Sequence, residues 1–219
     1  MKTTLQLKAL HLILFLICAG VFFQSSAQEF NITADYGYQF GTKLKYGGNY
    51  LKAGDGGYLT ATLGIETAPD LMAELTYMRM DTELFIKDFL ISPNEQRLAD
   101  LTMDWIQLGA TNYFNSGSEV TPFFGGTAGV VILSPNNENT DITTRRLNST
   151  TEFAFSFKGG VIFNVSDVVG IIIQGDLLFP VSWGGVYVGG GPGGIGGGVA
   201  VSSTTIMGGL KGGLVFTLD

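Results

Sequence analysis

Cysteine and histidine are almost missing from this chain. Its 219 residues hold one of each, His11 and Cys18, and both lie near the start. Met1 to Ala27 reads as an export signal. Lys2 and Lys8 form a positive n-region, Ala9 to Phe23 is nearly unbroken apolar sequence, and Ser25-Ser26-Ala27 supplies small residues for cleavage. The apolar run falls short of the roughly 20 residues a spanning helix needs. Ile17 is too bulky to precede a lipidated cysteine, and the apolar run continues past Cys18. Cleavage between Ala27 and Gln28 is the expectation, with residues 28–219 forming one β-barrel domain. Those residues contain neither Cys nor His. Disulfides, thiolate chemistry and Cys/His metal sites are thereby excluded, as is a His-based triad. Hydrolases, acyltransferases and proteases of the outer membrane lean on a histidine base. The reading is of a chain that is no enzyme and needs no cofactor.

Positive charge is also scarce. Of 12 Lys and Arg, 10 lie beyond the leader, against 19 Asp and Glu. Nucleic acid is not an expected partner, because its binding rests on neutralising phosphates with Lys and Arg. Aliphatic runs of helical period are absent after residue 27, and no second stretch approaches the length of a spanning helix. Glycine is what abounds. The leader holds Gly20 alone of 32, so the remainder lies far above the usual share of about 7%.

Alternating segments come in pairs along that remainder. They run Phe30 to Phe40, Tyr58 to Ile65, Leu71 to Met80, Leu101 to Phe114, Val120 to Leu133, Glu152 to Asn164, Val168 to Phe179 and Ser202 to Leu218. Connections alternate long and short. The polar, Gly-rich stretch from Phe40 to Gly57, Asp81 to Asp100, Ser134 to Thr151 and the Gly-rich stretch after Phe179 read as long loops, while Glu66 to Asp70, Asn115 to Glu119 and Val165 to Asp167 read as turns. Short periplasmic turns, long extracellular loops, an even strand number and periplasmic termini define an outer-membrane barrel. The expected fold is all-β: an eight-stranded antiparallel up-and-down transmembrane β-barrel.

A soluble barrel points its apolar face inward, whereas a membrane barrel points it at lipid. One face here carries Ile32, Ala34, Tyr36, Tyr38, Leu59, Leu63, Phe153, Phe155, Phe157, Ile171, Ile173, Leu210, Leu214, Phe216 and Leu218. The other carries Asn31, Asp35, Gln39, Thr60, Thr62, Glu74, Gln107, Thr127, Ser156, Lys158, Gln174, Asp176 and Lys211. Burying that second face as an apolar core would be costly, so it lines the lumen. Aromatics are expected in two girdles, with Phe30, Phe114, Phe123, Phe163 and Phe216 at the periplasmic ends. Tyr38, Tyr58, Tyr77, Trp105, Phe153, Phe179 and Trp183 belong to the outer girdle.

Counted in from the strand ends, Asp35, Lys211 and Lys158 each lie five residues above Phe30, Phe216 and Phe163. At about 3.3 Å per residue and a tilt of about 40°, that is mid-membrane. With Glu74 and Asp176 they form an interior charge network. An eight-stranded barrel leaves room for little more than side chains, so a hydrogen-bonded plug is expected, with a pore lining as the alternative.

The terminal stretch Lys211-Gly212-Gly213-Leu214-Val215-Phe216-Thr217-Leu218 resembles the C-terminal signal read by the barrel assembly machinery, carried by Lys211, Gly213, Phe216 and Leu218. Thr102-Met103-Asp104-Trp105-Ile106-Gln107-Leu108 and Pro122-Phe123-Phe124-Gly125-Gly126-Thr127-Ala128-Gly129-Val130 resemble the fourth and fifth strands of small outer-membrane barrels. These are the OmpA, OmpX and OmpW types and, above all, the PorT-type barrels of Bacteroidota, a phylum that Gln28 after the cleavage site also suits. The resemblance spans the chain after the leader and implies a Gram-negative outer-membrane location, with outer-membrane lipids as surroundings. It leaves two roles open: a structural or interaction barrel contacting a partner membrane protein or surface component through four extracellular loops, and a narrow channel for small or hydrophobic solutes.

Other motifs read plainly. Gly189 to Gly198 opens no helix, which marks a flexible surface loop rather than a nucleotide site. Arg145-Arg146 read as solvated loop charge rather than a lipopolysaccharide contact. The mixed charges from Asp81 to Asp100 read as a hydrated loop rather than a divalent-cation site.

Overall fold

Alternation of side chains on extended backbone dictates the architecture, and the computed structural model describes residues 29–114, 118–143, 146–181, 187–191, 194–198 and 205–218. Residues 1–28, with the expected cleavage site between Ala27 and Gln28, lie outside the described residues, as does Trp183. Eight strands close a ring: β1 (Phe30–Gln39), β4 (Gly56–Ala68), β5 (Leu71–Asp88), β6 (Ser92–Tyr113), β7 (Val120–Asn136), β8 (Thr150–Asn164), β9 (Val169–Val181) and β12 (Met207–Leu218). Each ring strand pairs antiparallel with the next, and β12 closes on β1 from Phe30↔Leu218 to Gln39↔Gly209. Closure leaves no open edge in the ring, the condition for sheet in lipid. Among the described residues there is no helix.

The faces follow the sequence reading. Ile32, Tyr36, Leu59, Leu63, Phe157, Ile173, Leu210, Leu214 and Phe216 point outward and are exposed, while Asn31, Asp35, Thr60, Thr62, Glu74, Gln107, Gln174, Asp176 and Lys211 point into the lumen and are buried. The ten residues of β1, at about 3.3 Å each and tilted by about 40°, rise about 25 Å, the height of a bilayer-spanning band.

Four expectations are corrected. Asp81 to Asp100 is not a loop, because β5 and β6 continue through it as one long hairpin to a turn at Phe89–Ile91. The stretch after β1 folds into a second hairpin, β2 (Thr42–Tyr46) and β3 (Asn49–Ala53), whose Leu51 lies opposite Ile86 of β5. The Gly-rich stretch read as a flexible loop holds a third, β10 (Tyr187–Gly191) and β11 (Gly194–Gly198). The last strand begins at Met207, and Thr205–Ile206 precede it without strand structure. The physical reason is the same for the charged stretch as for the barrel. Thr82, Leu84, Ile86 and Asp88 alternate with Asp81, Glu83 and Lys87, so one face is buried although charges crowd the other.

The barrel therefore has a turn end, with short connections and both ends of the ring's chain path, and a loop end, where a crown of β2, β3 and the upper halves of β5 and β6 rises above the wall.

Candidate functional site: the closed lumen and the loop-end crown

The lumen is filled in two layers. The middle layer is ionic. Lys211 Nζ stands 3.1 Å from Asp35 Oδ1 and 3.6 Å from Asp176 Oδ2. Tyr58 donates its hydroxyl to Asp176 Oδ2 at 2.8 Å, and Gln174 Nε2 donates to Asp176 Oδ1 at 2.5 Å. Across the ring, Lys158 donates to Glu74 Oε2, and Tyr113 donates to Glu74 Oε1 at 3.5 Å. Lys158 lies opposite Asp176 in the β8–β9 register, yet its ammonium reaches over to β5. The structure thus brings all five sequence-derived charges into two groups, Lys211 between two carboxylates and Lys158 on one. Hydroxyls and amides complete the layer: Thr127 Oγ1 donates to Gln107 Oε1 at 2.9 Å, and the Thr62 and Thr76 hydroxyls are 3.1 Å apart. Buried charges in a narrow lumen persist only when paired in this way.

The upper layer is apolar, which the sequence reading did not anticipate. Tyr58, Met78, Met80, Leu84, Ile86, Leu98, Leu101, Met103, Trp105, Val131, Leu178 and Met207 form one buried cluster. Tyr58 and Trp105, expected in the outer aromatic girdle, are corrected: Trp105 is 0% exposed and faces inward, and Tyr58 is the lid over Asp176. Phe123, expected in the lower girdle, also turns inward, into a smaller cluster with Ile162, Ile172 and Val215. Parity separates these cases. Trp105 lies an even number of residues from Gln107, and Phe123 from Thr127, so each shares its strand's lumenal face. Tyr38, Tyr77, Phe30, Phe114, Phe153, Phe163 and Phe216 do lie on the outside.

Glycine sets how closely the walls approach. At Gly213 a Cβ would collide with the carbonyl oxygen of Ala34 and the backbone of Asp35, so the terminal strand closes against β1 only with glycine there. Of the other terminal-signal residues, Phe216 and Leu218 face outward and Lys211 inward.

The crown is a hydrogen-bonded body. Asn49 Nδ2 and Tyr46 Oη donate to Asp88 Oδ2 at 2.9 and 3.2 Å, tying the β2–β3 hairpin to the tip of β5. Burial beside Asp88 pushes the Tyr46 phenol up to about 12. Tyr50 donates to Glu95 at 2.5 Å and holds that carboxyl below its usual range, helped by Lys52. Asn137 and Arg97 do the same for Asp100, with Asn137 Nδ2 at 2.7 Å. Backbone N–H groups, its own and that of Leu147, lower Glu138. No group of three acids in the described residues is placed to hold a metal ion. Arg97 reaches Glu83 at 3.3 Å instead. At the tip, Phe89 and Leu90 stand out in solvent, Leu90 at 86% exposure.

No protein-family model matches the chain, and no curated protein matches it in sequence. Solved structures match its shape. The outer membrane protein OprG of Pseudomonas aeruginosa is 13% identical, with a TM-score of 0.62 covering 88% of this chain and 97% of that one. Neisserial surface protein A is 15% identical, with a TM-score of 0.56 covering 85% and 96%. The outer membrane protein AlkL, solved in lipid bilayers, is 12% identical, with a TM-score of 0.52 covering 87% and 90%. The chain has the fold of the small outer-membrane β-barrel proteins.

Proposed function

We propose that this chain is a non-enzymatic, integral outer-membrane barrel of a Gram-negative bacterium, with a structural or interaction role exercised through the crown. One observation carries the reading. The lumen is blocked by paired charges and an apolar layer, while the crown above it is ordered and ends in the exposed Phe89 and Leu90. A barrel so filled presents surfaces rather than a passage. Exposed apolar tips on an otherwise hydrogen-bonded body are what a protein contact selects. The apolar outer belt supports membrane insertion with outer-membrane lipids around it, and the Lys211–Leu218 stretch supports delivery by the barrel assembly machinery. A cleaved leader ending at Ala27 rests on the basic, apolar and small-residue segments from Met1 to Ala27, and a Bacteroidota origin and membership of the PorT-type barrels rest on the sequence resemblance.

A photo-crosslinking amino acid at Phe89 in cells should capture a discrete membrane or surface protein, whereas the same group at lipid-facing Leu63 should not. Equal capture at both positions, or none at Phe89, would remove the crown from the proposal. The second reading, a narrow path for small or hydrophobic solutes, is favoured by the Met78, Met80, Met103 and Trp105 lining of the upper lumen. Liposomes carrying the barrel and swelling in a permeant solute faster than protein-free liposomes would favour that role.

A further inference from the structure

The outer face of the crown gathers positive charge on a chain that has little of it. Leu51 packs toward the buried side with Ile86 and lies opposite Leu44, so the residues flanking all three turn outward. Lys45, Tyr50 and Lys87 form one outward row across β2, β3 and β5, and Lys43, Lys52 and Phe85 form the row beneath it. Four lysines thus surround Tyr50. Of the ten Lys and Arg that follow the leader, two are buried in the lumen, and these four share one patch. The charge is placed rather than scattered.

The barrel itself does not neutralise this patch. Lys43 and Lys52 lie directly opposite each other, and like charges so placed destabilise a sheet. Their ammonium groups lie over rings instead, Lys43 at 4.6 Å from the Tyr50 centroid and Lys52 at 5.2 Å from that of Phe85. The one carboxylate on the patch is Glu95, which accepts the Tyr50 hydroxyl and stands 3.6 Å from Lys52. Lower on the wall, Glu83 and Asp81 are paired with Arg97 and Arg79. Among the described residues, Lys45 and Lys87 make no ion pair.

Height identifies what meets these lysines. Lys43 and Lys45 lie four and six residues beyond Gln39, where the membrane-height strand β1 ends. At the pitch and tilt used above, that is about 10 and 15 Å over the apolar belt. Tyr38 and Phe40 stand exposed on the wall beneath, their ring centroids 5.8 Å apart, at the level of the outer aromatic girdle. A lipid with its chains against the belt has its headgroup at that girdle, and sugars on the headgroup reach the lysine rows. In the outer leaflet of a Gram-negative outer membrane, that lipid is lipopolysaccharide, whose sugars carry phosphates. Ammonium groups meet phosphates as point charges. An acidic protein would be drawn to the same charge, but the rows face sideways over the lipid surface rather than outward from the tip.

We propose that the outward face of β2, β3 and β5 binds the phosphorylated sugars of a neighbouring lipopolysaccharide molecule through Lys43, Lys45, Lys52 and Lys87. This rests on the outer-membrane placement with the crown outside, and not on a protein contact at Phe89. Loss of either one leaves the other standing.

The test uses the whole barrel after the leader, nitrogen-15 labelled, in phosphatidylcholine nanodiscs. The probe is rough-type lipopolysaccharide, lipid A with a phosphorylated inner core, added at rising mole fraction. The same material stripped of phosphate is the control. Saturable amide shifts at Leu44, Tyr50, Lys52 and Lys87 are expected with the phosphorylated form, and binding at least about tenfold weaker with the control. Lys45→Gln with Lys87→Gln should weaken binding by about thirtyfold at low salt. Arg145→Gln with Arg146→Gln removes the same charge elsewhere and should change it by no more than about twofold. Glu95→Gln should tighten it, a gain that misfolding cannot imitate. The heat-modifiable band of each variant reports the fold separately. Equal binding of the control, equal losses from the lysine and arginine pairs, or shifts absent from those four amides would overturn the proposal. So would saturable shifts from a heparin octasaccharide but none from lipopolysaccharide, which would assign the face to a soluble sulfated glycan.

Discussion

Lys211 shows how one side chain holds the lumen closed. Its ammonium sits between Asp35 and Asp176 at 3.1 and 3.6 Å, and all three side chains are almost fully buried. Lys211→Ala would leave two carboxylates facing each other without a counter-charge. The expected cost is about 3–5 kcal/mol, the usual penalty for orphaning a buried charge. Urea unfolding of the refolded barrel in detergent measures it. The triple variant Lys211→Met, Asp35→Asn, Asp176→Asn removes the charges together and should recover most of that loss, because a buried ion pair is often replaceable by neutral groups. A Lys211→Ala barrel as stable as wild type would mean that water already occupies the layer. These charges were legible in the sequence because counting from aromatic strand ends gives depth directly. The partners were less so: Lys158 faces Asp176 in register but crosses to Glu74, a choice set by side-chain reach across the ring. Tyr58 and Trp105 lie inside because parity along the strand, and not aromatic identity, decides which face a residue takes.

At the scale of the element, the terminal strand and the crown behave differently. β12 is bonded on both sides, to β1 and to β9, so it completes the ring. Phe216 lies opposite Ile32 on β1 and faces outward. Phe216→Asp puts a carboxylate against lipid, and Gly213→Asp drives a side chain into Asp35 and the backbone before it. Both variants should lose the fast-migrating, heat-modifiable band of a folded barrel. A Phe216→Asp protein with that band at wild-type abundance would deny the terminal strand its role in assembly. In the crown, Glu95, Asp100 and Glu138 are held below their usual carboxylate range by hydrogen bonds and nearby cations. A depressed folded value means stability that is present above the unfolded value, about 4 for these groups, and lost as pH falls through the folded one. Amide exchange at Leu98, Asn139 and Leu147 should accelerate below about pH 4 while barrel amides such as Gln107 stay protected. The crown was also the part least legible in the sequence. The barrel strands announce themselves by an apolar outer face, but β5 and β6 above the membrane carry charges outside and Leu84, Ile86 and Leu98 inside. A reading tuned to lipid-facing residues passes over that inverted pattern.

The described residues form a filled cylinder with a different chemistry at each end. Its outer belt is apolar, its middle is ionic, its upper lumen is apolar, and the crown above is tied by side-chain hydrogen bonds. Passage from one end to the other would require an ion to displace Lys211 from two carboxylates and then to enter a packed layer of Met80, Met103 and Trp105. The first step strips a buried pair and the second offers no ligand for a charge, so the two barriers add along the path. Purified barrels in a planar bilayer should therefore show no steady conductance in simple salt. Weakening one layer alone should not open them. Lys211→Ala leaves the Met–Trp layer in place, and Trp105→Ala leaves the ion pairs. Combining the two should let water bridge the layers and give small, fluctuating currents. Large, stable, ion-selective openings from the wild-type protein would show that the charges line a channel, and transport would then displace interaction as the leading role. Silence from the double variant would place the barrier elsewhere, in the loops above the barrel.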